Sequence, residues 1–75
     1  MNDSNRTETL RVLLDLSEQL DTLNKHLKFQ QDEMDNAKDN TTRGIYAGYV
    51  SYSKMSIDNL KTKMDALLFN LGIDL

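Results

Sequence analysis

Apolar side chains recur along this chain at alternating steps of three and four residues. The first run is Leu13, Leu16, Leu20, Leu23, Leu27, Gln30, Met34 and Ala37, and the second is Tyr46, Val50, Ser53, Ile57, Leu60, Met64, Leu67 and Leu71. Seven of the eight positions in each run are apolar or aromatic. A strand would alternate every two residues, and neither segment does. The steps mark the a and d positions of a heptad, and a period near 3.5 predicts two long helices in shallow left-handed packing.

The polar residues at the ends of the runs predict the boundaries. Asn5, with Glu8 three residues later, has capping-box spacing, and Asp3 and Ser4 are competing caps, so the first helix is expected over about 5–38. Asp39, Asn40, Thr41 and Thr42 form a polar break, giving a loop over about 39–43 with Thr41 or Thr42 as the second cap. The second helix is then expected over about 44–71. Gly72 stands where a helix often ends in a left-handed residue, and Ile73 could fold back as its hydrophobic contact. The whole of 1–75 reads as a single all-α domain, an antiparallel two-helix hairpin of coiled-coil type.

One helix–helix interface leaves other apolar residues uncovered. Leu10, Val12, Leu14 and Leu68 lie off the seam toward the open end, and Phe29, Ile45, Tyr49, Tyr52 and Met55 lie off it toward the loop. So many off-seam apolar residues predict a second buried face, and the simplest way to make one is a homodimer of hairpins, a four-helix bundle. Length points the same way. A 75-residue chain buries only about 60% of the surface its unfolded form exposes, and such chains usually add disulfides, a metal or a partner subunit. The chain has no Cys and a single His, His26, which excludes disulfides, thiolate sites and multi-histidine metal sites within one chain. No metal or other cofactor is expected.

The sequence has no window apolar enough to predict a transmembrane helix, and Met1 to Val12 lack the apolar stretch of a cleavable signal peptide. No membrane role is expected, and a cytoplasmic location is the default. The formal charge is −3, with nine acids and five bases in residues 1–40 and three acids and four bases in residues 41–75. The cations are scattered, so binding to a nucleic-acid backbone, which needs several converging cations, is not expected.

Candidate chemistry is sparse. No Gly-rich phosphate loop, no catalytic triad order and no Glu-x-x-His metal pattern occurs, so no catalytic residues are assigned and the chain does not read as an enzyme. Gln30 and Ser53 interrupt the two seams at similar distances from the loop. They read as a polar core layer that fixes register, the alternative being a ligand site. His26 falls beside the seam. Gly44 and Gly48 lower helix propensity and read as a loosely wound first turn, or as a place where a partner backbone approaches. Phe29, Tyr49 and Tyr52 are the candidate partner-binding residues, because aromatic side chains outside a seam are enriched at protein interfaces. The competing reading is that the dimer covers them.

The hairpin pattern is similar to the RNA-organising Rop proteins of plasmids, which are dimers of helical hairpins. That family recognises paired RNA loops with a basic helix face, whereas this first helix is net acidic, so the likeness implies the assembly and not the ligand. Ser17-Glu18-Gln19-Leu20-Asp21 matches the Ser-x-x-x-Asp motif of the small sporulation phosphatases, though in the first helix where that family carries it in the second. Type III secretion needle subunits and their small co-chaperones are also hairpins of similar length, but this turn lacks the needle subunits' proline. The chain is assigned to none of these families.

The expectation from sequence is a small non-enzymatic regulator or adaptor, bacterial or phage, that binds itself and another protein through helix faces. A structural or secretion-system subunit or co-chaperone is the alternative, and a nucleic-acid-binding hairpin dimer the third.

Overall fold

The computed structural model describes the backbone of residues 3–72 and the side chains of residues 5–72. Two helices, α1 (Asp3–Asn36) and α2 (Asn40–Asn70), pack against each other as a hairpin. The rod measures 56 × 16 × 15 Å, and its radius of gyration is 16.7 Å. A compact domain of 75 residues would have about 11 Å.

All sixteen seam positions are half-buried or buried. Burial is uneven between the helices. Val50, Ser53, Ile57, Leu60 and Leu71 are buried, while every seam residue of α1 is only half-buried. No described side chain is fully enclosed, because two helices cannot surround a residue from every side.

The boundaries differ from the sequence expectation in three places. α1 begins at Asp3, so Asn5 lies inside the helix and its carbonyl accepts a bond from Thr9 Oγ1 at 2.9 Å. Glu8 pairs with Arg11 at 3.6 Å on the surface. Nothing in this polar segment stops the helix, since no Pro occurs and the first Gly is Gly44.

At the turn, α2 begins at Asn40 and the connection is residues 37–39, not 39–43. The cap is Asp39, not Thr41 or Thr42. Asp39 is extended at φ −130°, ψ 158°, and its carboxylate accepts Thr42 N–H at 2.7 Å and the Thr42 hydroxyl at 2.9 Å. An Asp with a Thr three residues on can satisfy both a backbone and a side-chain donor, which neither threonine could do as cap. These bonds hold the Asp39 carboxyl below its ordinary value of 3.8, the backbone bond from Thr42 contributing most. Arg43 Nη2 donates to the Ala37 carbonyl at 3.1 Å and ties the connection to α2.

Thirdly, the glycines do not mark a loose first turn. Gly44 and Gly48 sit in regular helix, with open space where a Cβ would stand. Gly72 has φ +75°, the left-handed conformation expected after Leu71. The proposed contact of Ile73 lies outside the described residues.

Candidate functional site: an aromatic flank beside the turn

The two polar seam residues meet. Ser53 Oγ donates to Gln30 Oε1 at 2.7 Å, which aligns these residues and sets the hairpin register. Phe29 immediately precedes Gln30, and Tyr52 immediately precedes Ser53. In a right-handed helix the preceding residue is rotated about 100°. In two helices running opposite ways, that rotation leads to the same side of the pair. Phe29 and Tyr52 therefore lie at one height on one flank. Tyr49 and Ile45 precede seam residues Val50 and Tyr46, so they share that flank.

Phe29, Ile45, Tyr49 and Tyr52 are each more than half exposed, Tyr52 at 72%. Tyr49 stands edge-on to the seam residue Tyr46, with ring centroids 5.8 Å apart and planes at 78°, so the patch is anchored in the core at one edge. All three residues assigned to partner binding, Phe29, Tyr49 and Tyr52, thus lie on the same side of the hairpin. Met55 is exposed at its margin.

A smaller apolar area lies on the opposite flank near the open end. Leu14 and Leu68 each follow a seam residue, which rotates them the other way. Leu10 follows Thr9, four residues before the seam begins. Leu10 and Leu14 are exposed and Leu68 is half-buried. Phe69, at 80% the most exposed of the large apolar residues, escaped the sequence reading. Its signal was its place two residues after Leu67, on the outer face of α2.

Little else offers chemistry. Ser17 and Asp21 are exposed on α1, and Asp21 pairs with Lys25 at 3.3 Å. His26 is exposed. A shallow, open recess lined by Asp15, Glu18, Gln19, Thr22 and Leu23 belongs to α1 alone, and Gln19 Nε2 donates to Asp15 Oδ2 across it at 3.0 Å. Among the described residues no cluster of three or more His, Asp or Glu is placed to hold a metal ion, and no helix is long and apolar enough to cross a membrane.

No protein-family model, curated protein or solved structure matches the chain. The functional reading therefore rests on the flank.

Proposed function

We propose that this chain is a small non-enzymatic regulator or adaptor that acts by completing a helical bundle with another polypeptide. The observation carrying this reading is the flank of Phe29, Ile45, Tyr49 and Tyr52, which holds three aromatic side chains and an isoleucine, each more than half exposed, on one side of the hairpin. Large apolar side chains exposed on one side of a small helical protein point to an interaction site, and aromatic anchors carry a large share of interface energy. Two helices docked on the flank would make a four-helix bundle with this hairpin. The chain as a tagged bait in extract of its source cell tests the reading, with captured polypeptides identified by mass spectrometry, copies of the chain included. A Tyr49→Ala/Tyr52→Ala bait should lose the captured chains and keep its helicity by circular dichroism. Equal capture by both baits would overturn the assignment.

A second reading, a structural subunit, draws support from the Leu10, Leu14 and Leu68 area on the opposite flank. Contacts that join unlike surfaces propagate unless the rotation closes. Growth of the assembly with concentration would distinguish such a subunit from a closed complex.

A further inference from the structure

Surface area says how much of the hairpin awaits a cover. The chain exposes 5786 Å², whereas a compact monomer of 8.6 kDa would expose about 4,700 Å². The excess, about 1,100 Å², exceeds the roughly 800 Å² that each partner contributes to a standard interface. The surplus belongs to the rod as a whole, and it is large enough for one standard interface.

Charge says what fits there. Along the loop half of the aromatic flank, the residues that precede seam positions are His26, Phe29, Glu33 and Asn36 on α1, and Ile45, Tyr49, Tyr52 and Ser56 on α2. Glu33 is the only acid among them, and no Lys or Arg occurs. Over the same half, the residues that follow seam positions include Lys28, Asp35, Lys38, Lys54 and Asp58. The aromatic flank thus gives no electrostatic preference for a strongly acidic or basic partner. An antiparallel second copy can also match it. Glu33 and His26 are seven residues apart, and the level of Phe29 and Gln30 lies midway between them. A two-fold axis across the hairpin at that level, with the two loops at opposite ends, lays α1 on α1 and α2 on α2. It sets Glu33 of each copy against the imidazole of the other, twice, and Tyr52 against Tyr52.

We propose that the two helices completing the bundle are a second copy of this chain, docked flank to flank about that axis. This inference rests on the reading of the flank as a protein-binding surface and names its occupant. The interface closes on itself, so assembly stops at two.

Sedimentation equilibrium of the purified chain tests the occupant. The expected result is a dimer of twice 8.6 kDa at micromolar concentration. Tyr49→Ala/Tyr52→Ala should weaken association about thirtyfold or more, with helicity retained. A helical monomer at high micromolar concentration, or growth beyond the dimer, would overturn the proposal. Because the chain has no native Cys, single cysteines report the face directly even if the tyrosine variant unfolds. With a short bis-maleimide, Ser56→Cys on the aromatic flank should cross-link copies and Ser51→Cys on the opposite flank should not, and the reverse pattern would refute the geometry. Orientation is read from a charge swap. His26→Glu should weaken the dimer and adding Glu33→His should restore it, whereas no restoration would reject the antiparallel axis. If the purified chain is monomeric while the bait captures a different protein through Tyr49 and Tyr52, only the second-copy assignment fails. If neither occurs, the binding reading fails with it.

Discussion

Ser53 is the one buried polar residue among those described, 5% exposed, and its hydroxyl is committed to Gln30. Ser53→Ala removes the donor but leaves a half-buried amide that water can reach. The expected cost is about 1 kcal/mol in denaturant unfolding. Changing both partners, Gln30→Leu with Ser53→Ala, should recover or exceed the original stability, because apolar groups then replace a bonded pair. Failure of the double variant to exceed Ser53→Ala would show that the pair contributes more than it costs. The sequence revealed both interruptions and their similar height, but not that they bond, since the heptad fixes a residue's face and not its rotamer. Burial sets the second expectation at this scale. Leu60 is buried and Leu20 only half-buried, so Leu60→Ala should cost about 2–5 kcal/mol and Leu20→Ala less. The buried positions lie along α2 and at its C-terminal end, and equal losses at the two sites would contradict that distribution.

At the scale of elements, the heptad made both helices legible and left their ends ambiguous. Asp39, Thr41 and Thr42 can each cap a helix, and spacing alone does not choose among them. The choice falls to Asp39 because its two oxygens serve two donors of Thr42. Its lowered carboxyl value makes a pH signature. The folded form binds its proton less readily than the unfolded chain does, so the cap's contribution is complete above the ordinary value of 3.8 and is lost as pH falls through the depressed value. Asp39→Asn, which keeps a capping oxygen, should remove this acid-side step in melting temperature. Asp39→Ala should lower the melting temperature at neutral pH as well. An unchanged acid profile in Asp39→Asn would show that the step belongs to other carboxylates.

For the whole molecule, sequence and structure agree on a hairpin and on most of the large apolar residues left outside its seam, Phe69 being the addition and Leu68 the one that is half-buried. The grouping of Phe29 with Tyr49 and Tyr52 was harder to read. It needs the register between helices as well as each residue's face, and the sequence offered that register only as a similar height for Gln30 and Ser53, with the connection started two residues late and made two residues too long. Once residues 37–39 form the turn and Gln30 meets Ser53, the three aromatics fall on one side without further assumption.

The short connection also orders how the rod opens. Gln30 and Ser53 enclose a chain segment of 23 residues, whereas Leu13 and Leu71, near the same level at the far end, enclose 58 (71 − 13). Closing the longer loop costs only about 0.8 kcal/mol more, so distance along the chain is a weak obstacle. The stronger effect is succession, because once the turn is capped each further contact extends an already aligned pair. Closure should run from the turn outward like a zip, and fraying should run back from the far end. Amide hydrogen exchange should therefore quicken from Ser53 toward Leu67 along α2, and from Leu27 toward Leu13 along α1. A uniform rate along both helices would mean that the pair opens as one piece.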